Sequence, residues 1–301
     1  MTYHVTIFGI DLTLNPIAFT IPIGKGWDIY WYGIIIATGF LLAVTYGYFN
    51  AKRFNIDTDK MLDVILVATP CAIIGARTYY LMFDGVKIKS ISDVFGFGTS
   101  GFSGLAIYGA VIGALLSGFI MCKIRKVKFF DITDLAAVAF LIGQGIGRWG
   151  NFMNQEAFGG PTGSNFFGMT SENVVKEFIK LDYEPTALAH PCFLYESIWC
   201  IAGAVLIFFL SKKRSFSGET SLMYCAWYGF GRAFIEQFRT DSLMIGNFKV
   251  SFLLSLVISL ASIIILVVIY KNKRKVEQEN SYQGLFELAQ EEINQEECEE
   301  E

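Results

Sequence analysis

Three arginines, Arg77, Arg148 and Arg232, stand inside stretches of a 301-residue chain that are otherwise apolar enough to cross a lipid bilayer. An arginine at mid-membrane costs roughly 2.5 kcal/mol even on the mildest insertion scale, so each needs a partner, and such residues usually mark function. Residues three or four apart share one face of a helix. On that spacing Arg148 aligns with Asn151 and Asn154, while Tyr228, Arg232, Glu236 and Arg239 form a second polar stripe. Arg232 and Glu236 are placed to neutralise each other, which is a purely structural alternative for that pair. Arg148 has no carboxylate one turn away. Its unpaired fork of N–H donors suits an anionic oxygen, and the phosphate of a lipid headgroup is the most abundant candidate in a membrane.

The elements that position these residues follow from composition. Hydrophobic residues make up 53% of the chain and charged residues only 17%, with a mean hydropathy of +0.45, so lipid rather than water is the expected solvent. A spanning helix needs about 20 mostly apolar residues. Seven stretches qualify, at 29–49, 61–83, 105–121, 135–152, 193–210, 221–238 and 250–270, with the third and sixth the weakest. The expected fold is therefore all-α, a polytopic membrane protein with about seven transmembrane helices. Fourteen Lys and Arg fall in one alternating set of connections, among them Lys60, Lys126, Lys128 and Arg214, against seven in the other, which includes Lys25, Lys87 and Lys89. Short cytoplasmic loops are the basic ones, which predicts the N-terminus outside and the C-terminus in the cytoplasm. On that topology Arg77, Arg148 and Arg232 come late in outward-running helices. Tyr32, Tyr108, Tyr195 and Glu196 come early in inward-running ones, so all seven converge on the outer half of the bilayer.

The membrane-embedded body is expected over residues 1–275. It includes an outer loop, 153–192, in which Val174, Val175, Phe178 and Ile179 form one apolar helix face, suited to the membrane surface, to a lid or to an ordinary connection. Residues 276–301 read as an acidic, disordered cytoplasmic tail that carries much of the formal charge of -4. The body is then not acidic, and nucleic acid is excluded as a partner of either part. The six cysteines, at 71, 122, 192, 200, 225 and 298, contain no CxxC pair and read as small apolar filler. Two histidines, His4 and His190, cannot supply an HExxH metal site, GxSxG is absent, and neither metal nor cofactor is expected. Residues 1–26 show no cleavable signal peptide. Gly145, Gly147 and Gly150 spell GxGxxG but follow no strand, so a nucleotide site is rejected. The pairs Gly143/Gly147 and Gly109/Gly113 instead fit close helix contacts.

The run from Gly147 to Gly159, with Arg148, Asn151, Asn154 and Glu156 within it, resembles the signature of the prolipoprotein diacylglyceryl transferases. Further elements stand in that family's order: Trp31-Tyr32-Gly33, Gly75-Ala76-Arg77, His190-Pro191, Leu194-Tyr195-Glu196, and Tyr228-Gly229 leading to Arg232, Glu236 and Arg239. The resemblance covers about residues 16 to 270. It implies an enzyme of the bacterial cytoplasmic membrane that moves the diacylglyceryl group of phosphatidylglycerol to the lipobox cysteine of a prolipoprotein signal peptide, releasing glycerol 1-phosphate. It further implies that Arg148 grips the phosphate and that Arg232 stabilises the leaving group or lowers the thiol pKa. Asn151, Asn154 and Glu156 would position headgroup and arginines, with Tyr32, Arg77, Gly159, His190, Tyr195, Glu196, Tyr228, Glu236 and Arg239 completing the substrate site among membrane lipids. One departure stands out. Many members carry a histidine where this chain has Tyr108, and a tyrosine with a pKa of about 10 is a poor base at neutral pH. Tyr108 is thus either a catalytic group acting through an arginine or a helix-packing residue. Two rivals are a transporter or channel for an anionic solute and a lipid-binding scaffold. A path through the membrane fits poorly with the apolar cytoplasmic halves at 41–46, 62–68 and 111–121.

Overall fold

The computed structural model describes residues 2–22, 26–83, 106–240, 244–245 and 248–299. Lys25, Lys87, Lys89, Leu105, Glu300 and Glu301 lie outside the described residues. Helices dominate: α1 (Trp31–Asn50), α2 (Thr58–Phe83), α3 (Ile107–Arg125), α4 (Phe129–Asn154), a short α5 (Glu172–Lys180), α6 (Cys192–Leu210), α7 (Glu219–Glu236) and α8 (Val250–Glu299). Among the described residues, six helical segments are long and apolar enough to cross a membrane by length and composition. The stretch expected as the sixth span is a helix, α7, but Glu219, Arg232 and Glu236 fall within its eighteen residues and it is not among the six. Seven spans are thus not established, although all seven expected helices are present.

Glycine sets the closest helix contact. A Cβ on Gly75 or Gly109 would overlap the other's carbonyl oxygen, and one on Gly113 would overlap that of Cys71, so α2 and α3 pack backbone to backbone. Gly39 of α1 faces Gly143 of α4 in a looser version of the same contact, its Cβ position lying 3.2 Å from the Gly143 oxygen. Between α4 and α6, Val138, Leu141, Cys200, Ala204 and Ile207 form a buried seam. Cys71, Cys122, Cys192, Cys200 and Cys225 are free thiols, three of them buried.

The chain is not purely helical. β1 (Tyr3–Ile7) pairs antiparallel with β2 (Ile10–Leu14) and with β5 (Met169–Ser171), while β3 (Ile17–Ile21) pairs with β4 (Trp27–Tyr30), and β6 (Met244–Ile245) with β7 (Phe248–Lys249). These strands have two to five residues, too short to show in a reading tuned to spans of about 20 residues. Pairing of β1 with β5 ties the N-terminal segment to the loop expected at 153–192. Helix α5 lies where its apolar face placed it, capped by the Ser171 hydroxyl, which accepts from the Val174 N–H. Val174 and Phe178 are fully buried with Val5, Phe152, Phe158 and Phe193, but Ile179 is exposed. The helix therefore docks on protein, over the end of the bundle where α4 finishes and α6 begins.

At the other end α8 does not stop near residue 275 but runs to Glu299. The segment expected as a disordered tail is rich in Glu and Gln, good helix formers. Tyr270 donates to Glu219 across the start of α7, at 2.6 Å.

Candidate active site

Three helix ends build the site. α4 stops at Asn154 because Gln155 turns left-handed, φ 53°, and Ala157 follows at φ 59°. Left-handed backbone costs a non-glycine residue roughly 1–2 kcal/mol, and such positions persist where surrounding structure enforces them. Here the Gln155 and Glu156 N–H groups bond back to the Phe152 and Asn151 carbonyls at 3.1 and 3.0 Å. Gly159 then enters a crowded spot. A Cβ there would lie 2.7 Å from the Phe238 oxygen and 2.8 Å from the His190 Cβ. Its N–H donates to the His190 carbonyl at 2.9 Å, and the Gly160 N–H donates to that of Phe238 at 2.8 Å. Gly159 also forms a backbone bridge with Arg239. The end of α4, the entry to α6 and the exit from α7 are thereby stitched together by main chain.

Glu196 sits at the centre, 2% exposed, with both oxygens engaged. Oε1 pairs with the Arg148 guanidinium and accepts from the Tyr228 hydroxyl at 3.0 Å, while Oε2 accepts from Arg232 Nη1 at 3.0 Å. Arg232 Nη2 lies 2.7 Å from Glu236 Oε2. The sequence left Arg148 unpaired; the structure corrects this, because its partner comes from α6 and not from its own helix. One carboxylate thus bridges two guanidinium groups on two other helices. Burying these charges is tolerable only because each is paired and hydrogen-bonded. Arg232 and Glu236 do neutralise each other in part, as the spacing allowed.

Neither arginine is sealed. Side-chain exposure is 21% for Arg148 and 17% for Arg232, and a guanidinium carries five N–H donors. Arg148 Nη1 donates to Asn151 Oδ1 at 3.3 Å, and Asn151 Nδ2 donates to Glu156 Oε1 at 2.8 Å, so a polar chain runs from the buried acid to the exposed Glu156. Tyr32 lies against this helix end, its ring 2.8 Å from where a Gly150 Cβ would be. His190 Nδ1 and the Tyr195 hydroxyl are 3.1 Å apart, with the His190 ring 4.7 Å from that of Phe238. Burial holds the His190 pKa below its ordinary value, favouring the neutral ring.

Other expected residues are placed differently. The Asn154 side chain makes no hydrogen bond among the described residues, and its carbonyl accepts from Asn173 at 3.5 Å. Arg77 lies with its guanidinium 5.4 Å from the Tyr80 ring, and the Tyr108 ring is 6.3 Å from that of Tyr79. Both belong to the α2–α3 pair. Arg239 contributes its backbone bridge to Gly159. Two supporting residues went unread in the sequence. Ser197 donates to the Gly145 carbonyl at 2.8 Å and accepts from Trp149 Nε1 at 3.2 Å, locking α6 to α4. Lys249 Nζ donates to the carbonyls of Glu236, Gln237 and Arg239 at 2.8, 3.2 and 2.8 Å, capping α7. Neither has a periodic signal, since one is a hydroxyl in an apolar helix and the other a lone basic residue after a turn. No group of three metal-ligating side chains occurs among the described residues.

Residues 16–268 match the family model described as prolipoprotein diacylglyceryl transferase. The chain is similar to the phosphatidylglycerol--prolipoprotein diacylglyceryl transferase 1 of Clostridium perfringens, 43% identical over 267 residues that cover 87% of this chain and 98% of that one. It is also similar to enzymes named phosphatidylglycerol--prolipoprotein diacylglyceryl transferase from Bacillus cytotoxicus and Limosilactobacillus reuteri. The first is 40% identical over 80% of this chain and 88% of that one, the second 39% identical over 86% and 93%.

Proposed function

The chain belongs to the prolipoprotein diacylglyceryl transferase family and is a diacylglyceryl transferase, and on that premise we propose how its residues divide the reaction. The donor is phosphatidylglycerol, and the acceptor is the lipobox cysteine of a prolipoprotein signal peptide. The cysteine sulfur forms a bond to the diacylglyceryl carbon that carries the phosphate. The carbon–oxygen bond to phosphate breaks, the thiol proton is given up, and glycerol 1-phosphate leaves.

Two demands follow. A thiol with an ordinary pKa of about 8.5 must become a thiolate, and the leaving phosphate must be met by donors already in place. The observation that carries this reading is the Arg148–Glu196–Arg232 bridge. By holding both guanidinium groups from behind, Glu196 fixes their separation and prevents their mutual repulsion, while their remaining donors point to the phosphate. Arg148 grips the phosphate of the bound lipid. Arg232, steadied by Glu236, meets the charge that grows on the leaving oxygen or draws down the thiol pKa. Asn151 and Glu156 orient Arg148 and the glycerol headgroup, and Tyr32, His190, Tyr195 and Tyr228 wall the site. The loop charges support a location in the bacterial cytoplasmic membrane with this site toward the outer half.

The test is direct. Purified protein in detergent is supplied with phosphatidylglycerol and a lipobox peptide, and peptide mass and glycerol phosphate release are followed together. One diacylglyceryl group gained per glycerol phosphate released is expected; well-folded protein that releases none contradicts the reading.

A further inference from the structure

At the end of the bundle opposite the arginine bridge, a cavity of about 400 Å³ is lined by Asn55, Asp57, Lys60, Lys126, Lys128 and Asp131, with Val127 and Ser217 completing it. Lys128 and Arg148 lie on one helix axis 20 residues apart, or roughly 30 Å at 1.5 Å per residue, about the thickness of a bilayer core. The three lysines come from two elements that the fold fixes. Lys60 stands in the first turn of α2. Lys126 and Lys128 flank the tight α3–α4 turn, where Lys126 is left-handed, φ 54°, and the Val127 N–H donates to the Cys122 carbonyl at 2.9 Å. Val127 anchors that turn by packing against the cluster of Ala51, Phe54, Ile56, Met61 and Leu135.

Among the described residues none of the three ammonium groups has an ion pair or a hydrogen bond, although two carboxylates share the cavity. Asp131 is committed to Arg214, and Asp57 uses one oxygen on backbone. Asp57 Oδ1 accepts from the Asp59 N–H at 2.9 Å, and Asp131 Oδ1 accepts from Arg214 Nη2 and Ser217 Oγ at 2.9 and 2.6 Å. Lys128 also occupies the N-cap position of α4 with no side chain capping that helix. A cation there opposes the positive end of the helix dipole, whereas an anion in the cavity offsets both. With Asp131 paired to Arg214, three lysines face a single carboxylate without an ion pair, Asp57, and the concave site keeps an excess of positive charge.

We propose that this cavity binds a phosphate group, that of an anionic phospholipid in the leaflet opposite the arginine bridge or a free phosphate. The site is separate from the one that performs transfer, and it does not depend on the assignment of that reaction. Basic pockets among membrane helices take anionic headgroups by this chemistry.

The test is native mass spectrometry of the full-length protein in neutral detergent, titrated with dioleoylphosphatidic acid, which has no glycerol headgroup to donate, and with dioleoylphosphatidylcholine. The wild type is expected to prefer phosphatidic acid by about tenfold or more, a preference lost in Lys60→Gln/Lys126→Gln/Lys128→Gln and kept in Lys52→Gln/Lys123→Gln/Lys212→Gln, which changes other lysines at the same end. Thermal melting without lipid verifies folding, and arginine at the three cavity positions should restore binding. Displacement of the lipid by excess inorganic phosphate assigns the site to phosphate from either source, and retention assigns it to the lipid headgroup. Equal binding by wild type and cavity variant, or equal loss in both lysine sets, overturns the proposal.

Discussion

Glu196 is a buried acid with a guanidinium on either side, so what replaces it decides what the site loses. Alanine removes the charge and both acceptors, leaving Arg148 and Arg232 facing each other; breaking such a buried bridge costs about 3–5 kcal/mol. Glutamine keeps the shape and one acceptor. We expect Glu196→Ala to lower the melting temperature sharply and Glu196→Gln to lower it less, with both losing transfer by about 100-fold or more because the arginines are no longer held for the phosphate. A Glu196→Ala protein that melts like wild type would show that the bridge holds nothing. His190 adds a pH dependence. Its folded pKa lies below the ordinary 6.5, so the unfolded chain takes up the proton first as pH falls. The stability it contributes is present above pH 6.5 and declines as the pH drops from there toward the folded value. Melting measured across that range should show a shallower acid loss in His190→Asn than in wild type. The residues that meet at the arginine bridge were mostly legible at this scale because an arginine in an apolar run is costly enough to demand a reason. The partner of Arg148 was not, since spacing within one helix says nothing of a carboxylate on another.

Helix ends, more than helix bodies, distinguish this fold. Because a Gly109 Cβ would overlap the Gly75 carbonyl, Gly109→Val must push α2 and α3 apart, and we expect loss of folded protein on size-exclusion chromatography, whereas Gly33→Ala, where nothing lies within 4 Å, should be neutral. Lys249→Met removes a donor from three carbonyls at the end of α7, of which that of Glu236 keeps the Arg239 N–H, a loss of about 1–3 kcal/mol in thermal melting. Gly109 was readable in advance, because it stands four residues from Gly113 and small residues four apart are a spacing signal, whereas its partner Gly75 carries no such spacing. The seven long helices were readable from apolar runs of about 20 residues, and α5 from its apolar face. The strands were not: β1 and β2 hold only five residues each, and their purpose, pairing with β5 from residue 169 onward, is a long-range contact. The length of α8, to Glu299, was not legible, since its apolar run ends near residue 270 and the acidic residues beyond carry no spanning signal.

Over the whole molecule, two charged sites stand at opposite ends of an apolar bundle, one built around an arginine bridge and the other around lysines. Between them the interior seam is apolar, Val138, Leu141, Ala204 and Ile207 filling the space between α4 and α6. The chain beyond that body is dispensable for transfer on this view. Truncation after Glu279 removes only residues remote in sequence from every site residue, and activity of the shortened protein should equal that of the full chain in the same assay. The measurement that bears most directly on the central claim is transfer by Arg148→Ala. Glu196 keeps Arg232 and Tyr228 in that variant, so no bare charge is left behind and the protein should melt close to wild type. With folding intact, no diacylglyceryl mass should appear on the lipobox peptide; transfer at the wild-type rate would place the phosphate grip somewhere other than Arg148.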